Sequence, residues 1–137
     1  MSGFTDLSAW SNVLSTALNA LTTATATSST ITPPTGPRPF YIDLRATFAS
    51  FTPASGQGVN IYIQHAVDDT PTNFADVTSL SFRAFIPFTS GASPKYGFVE
   101  RIACPIVPFR IAVTNSVTGT ALAASGNTID IRTYSEG

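Results

Sequence analysis

The chain has 137 residues, a length that suits one domain with a single core of ordinary size. Charged residues make up 11% and the formal net charge is −1, which excludes electrostatic recruitment of nucleic acid or of an anionic membrane. Cys104 is the only cysteine, so there is no disulfide framework, and no apolar run approaches the ~20 residues that span a bilayer.

The basic residues are six Arg and one Lys, Lys95. Interfaces are enriched in Arg and depleted in Lys, so this balance points to a surface packed against neighbours. No basic n-region precedes the N-terminal apolar residues, which argues against a signal peptide.

Residues 5–21 leave two readings open. Leu7, Trp10, Leu14, Ala17 and Leu21 step by three and four as on a helix face, with Thr5 or Asp6 as N-cap. The same segment reads equally as an extended arm or first strand, because Ser and Thr weaken helix propensity. Its apolar residues are either an ordinary core face or an anchor on a neighbouring subunit, and the partner-binding candidates are Trp10, Leu14, Leu18 and Leu21. Thr and Ala then alternate through Ile31 as a short edge strand. Pro33, Pro34, Pro37 and Pro39 enforce an extended connector. This divides residues 1–39, an arm and Thr/Pro-rich connector, from a body over 40–137.

The body opens with the clearest strand. Phe40, Ile42, Leu44, Ala46 and Phe48 point one way, and Tyr41, Asp43, Arg45 and Thr47 the other. Val59, Ile61, Ile63 and His65 form the inward set of the next strand, which ends in the turn Asp68–Asn73. Leu80, Phe82, Ala84 and Ile86 continue the alternation up to Pro87, and Tyr96, Phe98, Glu100 and Ile102 do so before Pro105. Val107, Phe109, Ile111 and Val113, then Ile129 and Ile131 with Asp130 and Arg132 opposite, supply the last strands. Six to eight strands with turn signals between them predict an all-β fold. The expected form is a single antiparallel β-sandwich, jelly-roll-like, with an N-terminal arm or short helix.

Residues for chemistry are scarce. His65 and Cys104 are the only histidine and thiol, and a Cys–His nucleophile pair needs both. His65 continues an inward pattern and Cys104 lies among apolar residues, so both read as buried structural groups. No zinc spacing, nucleophile elbow or glycine-rich phosphate loop occurs. Asp68, Asp69, Asn73 and Asp76 offer oxygens for Ca²⁺, but without the glycine and terminal Glu of an EF-hand loop, and with Pro71 interrupting them. Turn formation is the stronger reading of these four. The only glutamates are Glu100 and Glu136, a poor supply for paired-carboxylate glycoside hydrolysis. The residues predict no enzyme and no cofactor.

Three stretches carry a resemblance: FYIDLRATF (40–48), VNIYIQHAVDDTPTNFAD (59–76) and FRIAVTNSVTGTALAASGNTIDIRTY (109–134). Together they resemble a loose group of small tailed-bacteriophage virion proteins. That group has a strand with an aromatic–aliphatic–Asp–Leu core, a V-x-V-Y-x-x-x-S-x-D-x-T hairpin, and a late F-x-V-x-N-x-T-G followed by S-G-N. Tyr62 and Asp68 to Thr72 match the hairpin, with Ala66 in place of its small hydroxyl residue. Val113, Thr114 and Asn115 match the late motif, with Ser116 and Val117 lengthening the step to Thr118 and Gly119, and Ser125, Gly126 and Asn127 match outright.

The likeness spans roughly residues 18–134 and brings no catalytic residues with it. It implies a virion structural protein assembled in the host cytoplasm, first of all a capsid decoration protein on the major capsid protein lattice. Other virion proteins or further copies of the chain are the implied partners. The alternative is a tail, connector or fibre module, including a carbohydrate- or receptor-binding sandwich.

Overall fold

A computed structural model describes residues 4–5, 7–68 and 73–136. The chain forms the expected antiparallel β-sandwich. Its strands are β1 (Phe4–Thr5), β2 (Ser11–Leu14), β3 (Thr25–Thr27), β4 (Phe40–Phe51), β5 (Gly58–His65), β6 (Phe82–Pro87), β7 (Ser93–Ala103), β8 (Phe109–Asn115) and β9 (Thr128–Glu136). A front sheet runs β9-β4-β7, with β1 and β2 both paired along the free side of β9, and a back sheet runs β3-β8-β5-β6. Taking β1 and β2 as one interrupted edge, the described residues fill eight strand positions. The pairing is nested: first with eighth, second with seventh, third with sixth, fourth with fifth.

Period-2 alternation explains the core. Ile42, Leu44 and Phe48 face Val59, Ile61, Ile63, Phe109, Ile111 and Val113 across the interior, with Ile129 and Ile131 beside them. Placing one apolar face of each strand inside is what fixes register, since a one-residue slip would expose the whole set.

Two strands change face part-way, and both do so at a bulge. Between Ile61 and Tyr62 the β5–β6 register shifts, so Ala84 opposes Ile61 while Phe82 opposes Tyr62. The extra residue, Arg83, sends Phe82 outward to meet the Tyr62 ring edge-on at 5.7 Å, and Leu80 ends exposed. In β7, Val99 opposes Leu44 and Ile102 opposes Ile42, with Arg101 at φ 60° between them. Ile102 is therefore buried, while Tyr96, Phe98 and Glu100 lie on the exposed side. Expected on one row with Ile102, these three lie on the opposite face from it.

The N-terminal segment takes the strand reading of the two left open for it, and its leucines take the core reading. Residues 11–21 contain β2 and a 3-10 turn at Thr16–Leu18, and the described residues contain no α-helix. β2 pairs with β9 and β3 with β8, so the first 39 residues add an edge to each sheet. Leu14, Leu18 and Leu21, expected as partner anchors, are buried in the chain's own core, Leu18 at 0% exposure. The step of three and four arises from a strand followed by a tight turn, which returns Leu18 and Leu21 to the interior that Leu14 already faces.

Buried carboxamides tie the loops together at one end. Gln57 Nε2 donates to Asn115 Oδ1 (2.9 Å) and to the Thr120 carbonyl (2.8 Å), and its Oε1 accepts from the Ala54 amide. Asn115 Nδ2 donates to the carbonyls of Leu21 and Thr120. Asn127, placed by Gly126 at φ +84°, donates to Asn19 Oδ1 and the Ala123 carbonyl and accepts from the Ala49 amide. Buried polar groups are tolerable because each is satisfied.

Leu18→Ala removes a fully buried side chain from this end, and chemical denaturation is expected to show a loss of about 2–5 kcal/mol. A change below 0.5 kcal/mol, the size of a surface substitution, would place residue 18 outside the core.

Candidate interaction surface

The outer face of the front sheet is built from two matching stretches. Tyr41, Asp43 and Arg45 alternate outward on β4, and Asp130, Arg132 and Tyr134 on β9. Antiparallel register sets Tyr41 opposite Tyr134, Asp43 opposite Arg132 and Arg45 opposite Asp130. The Tyr rings lie 5.9 Å apart. Arg132 reaches Asp43 Oδ2 through Nε and Nη2, both at 3.1 Å, and Arg45 Nε donates to Asp130 Oδ2 at 2.9 Å. Cross-strand pairs of this kind stabilise sheets individually by a few tenths to about 1 kcal/mol.

Asp43 is the buried member, with 8% of its side chain exposed. Its Oδ1 accepts the Arg101 amide, which the β7 bulge turns toward it, at 3.1 Å. Burial, then the Asp43 charge and a hydrogen bond to it, push the Tyr134 hydroxyl pKa up, partly offset by Arg101. Asn12 Nδ2 ties β2 to the same face through Asp130 Oδ1 at 2.9 Å.

Trp10 lies over this ladder. The Arg45 and Arg132 guanidinium carbons sit 4.4 and 4.6 Å from its ring centroid, and Phe98 meets it edge-on at 6.1 Å. Arg101 stacks on Tyr41 at 4.7 Å. Trp10 is the one expected anchor with surface to offer, on a sheet face and not on a free arm. The ladder itself escaped the sequence reading, although Y-x-D-x-R in the first body strand and D-x-R-x-Y in the last are antiparallel complements. Comparing the outward residues of strand pairs was the signal that finds it.

The candidates for chemistry lie elsewhere and apart. His65 is exposed, contrary to its inward pattern, because β5 ends there at the open end of the sandwich. With Asp76 and Arg83 it lines a cavity of about 290 Å³ over Ile63, Ala75 and Leu80. Cys104 is half-buried and follows β7 in the other sheet, lining a separate cavity of about 250 Å³ with residues 34–36 and 38–40. Burial raises its thiol pKa to about 11, the wrong direction for a nucleophile. The two residues thus form no pair.

Of the calcium candidates, Asn73 Nδ2 donates to Asp68 Oδ2 across the turn, Asp76 lines the His65 cavity, and Asp69 lies outside the described residues. No three His, Cys, Asp or Glu among the described residues could hold a metal ion together.

The face is therefore suited to contact. Aromatic and Arg side chains are the types that dominate interface energetics, and here they are held in place before any partner arrives. Because Arg45 and Arg132 each have a carboxylate, the face carries little net field to steer a partner. The chain matches no protein-family model and no curated protein sequence.

Asp43→Ala strips a buried carboxylate from Arg132 and the Arg101 amide, and is expected to cost about 3 kcal/mol in chemical denaturation. Arg45→Ala, whose side chain is 48% exposed, is expected to cost about 1 kcal/mol or less. Equal losses would contradict this division.

His65 is exposed, but partial desolvation beside the cavity and then the Arg83 charge lower its pKa below 6.5. The unfolded chain then takes up the proton first on acidification, so this group's contribution to stability declines as pH falls through 6.5. An NMR titration of His65 should give a midpoint below that value, and His65→Gln should flatten the stability profile there.

Proposed function

We propose that the chain is a non-enzymatic bacteriophage virion structural protein, a capsid decoration protein that binds the lattice of the major capsid protein. The observation that carries this reading is the nested strand pairing. Pairing first with eighth through fourth with fifth is what one long hairpin makes when rolled into two sheets, and it supports reading the sandwich as a jelly roll. Jelly rolls recur in viral capsid domains, lectins and cupins. The likeness of residues 40–48, 59–76 and 109–134 to small phage virion proteins narrows that choice. A nearly neutral, Lys-poor surface with an Arg- and aromatic-rich face suits a protein that spends its life against other subunits.

A tail, connector or fibre module that binds carbohydrate is the second reading. Its support is the exposed Tyr96 and Phe98 on the face that also carries Arg45, Asp130 and Glu100, since aromatic rings beside polar groups are what a sugar stacks on and bonds to.

Imaging purified particles assembled with and without the chain is the direct test, with added density on the capsid surface expected. Co-sedimentation with particles lacking the chain tests the face: Trp10→Ala is expected to weaken attachment by about 2 kcal/mol, the size of an interface hot spot. Raising salt from low to physiological should change affinity little, because the net charge is −1. Failure of the wild-type chain to rebind such particles would overturn the decoration reading, and binding to a glycan array instead would favour the second.

A further inference from the structure

All four exposed aromatic side chains of the described residues lie on one side of the sandwich: Phe82 and Phe85 on β6, Tyr96 and Phe98 on β7. β7 is also the longest outer strand, eleven residues, and pairs with β4 alone among the described residues. Its other side presents backbone N–H and C=O groups to whatever comes next. An outward lysine is one common guard of an edge strand. Here Lys95 is turned inward and buried, donating Nζ to the Gly91 carbonyl at 2.6 Å and to Ser93 Oγ at 3.1 Å. Tyr96 and Phe98, 74% and 56% exposed, are left flanking the edge without that guard.

We propose that β7 pairs antiparallel with β7 of a second copy, about a two-fold axis at Gly97, joining two front sheets into one continuous sheet. A row of free backbone donors and acceptors selects another β-strand as its occupant. The sequence of the edge selects its own copy. A two-fold axis places each residue opposite the one equally far on the other side of the axis. About Gly97 this sets Tyr96 against Phe98 of the partner, twice, on one face, and aromatic cross-strand pairs are among the favourable ones.

The usable stretch is itself nearly centred there. Pro94, with no N–H to donate, lies three residues before Gly97, and the Arg101 bulge, where regular pairing stops, lies four after. Gly97 has its own structural reason, since a Cβ there would come within 2.5 Å of the Ile86 side chain. It also leaves the centre of the axis free of bulk. With a net charge of −1, two copies repel each other little. The proposal does not depend on the virion reading, and its test uses no particles.

Sedimentation equilibrium of the full chain over a wide concentration range is expected to show a monomer–dimer equilibrium. Phe98→Lys restores a guarding charge to the edge and should weaken the dimer at least about tenfold while leaving the circular dichroism spectrum unchanged. Register is read by oxidising an equal mixture of Tyr96→Cys and Phe98→Cys chains, with the wild-type chain as control for Cys104. The mixed 96–98 disulfide should exceed both homodimers. A chain that stays monomeric throughout, a dimer indifferent to Phe98→Lys, or cross-linking no better than random mixing would each overturn the proposal.

Discussion

The fold turns on β9 lying between β2 and β4. Its inward Ile129 and Ile131 fill the core, and its outward Asp130, Arg132 and Tyr134 complete the residues that β4 presents. A single strand thereby satisfies backbone hydrogen bonds on both sides, apolar packing on one face and charge pairing on the other. Asp43 shows how tightly these are coupled. It can be buried because Arg132 comes from β9 and a backbone N–H from the bulge of β7, so three strands meet at one carboxylate. Trp10 then closes over the ladder from the far edge, and its position depends on both arginines being held by their acids.

Much of this architecture was legible in the residues. The alternation in 40–48, 59–63 and 109–113 predicts those strands and their faces, because a half-buried strand must alternate. What alternation cannot foresee is an inserted residue. Arg83 and Arg101 have the composition of any outward strand position, yet each sits in a bulge that reverses the faces beyond it. Phe82 was read on one row with Ala84 and Ile86, and Glu100 on one row with Ile102, and the bulges split both rows. Residues 11–21 left two readings open for a different reason: apolar spacings of three and four mark a helix face, but a strand followed by a tight turn yields the same spacings. Ala20, at φ 55°, takes a conformation ordinarily left to glycine, so nothing in the sequence announced that turn.

The motifs behind the phage resemblance have a physical content that their pattern does not state. Asn115 and Asn127 are each buried and fully bonded, and with Gln57 they tie the turn at residues 19–21 to the loops at 52–57 and 116–127. Short polar motifs can thus hold loops in place without touching any ligand. On the proposed virion reading, this division of labour is useful. One end of the sandwich is locked by carboxamides, and the ladder face and the β7 edge are left as rigid surfaces that meet neighbours with little to reorganise.

The nested pairing also bears on how the protein is made. A ribosome releases the chain from its N-terminus, so β1, β2 and β4 emerge before the strand that must lie between them. Until β9 arrives, the front sheet has a gap at its centre, and Ile42, Leu44 and Phe48 lack their full covering. The hairpin β5–β6 can form early, but every other pairing waits for distant sequence, which makes folding slow by topology and not by any one difficult step. The front sheet therefore closes only once β9 has been made. Until then, the nascent chain's unfilled gap is the state most exposed to mispairing with a sister chain.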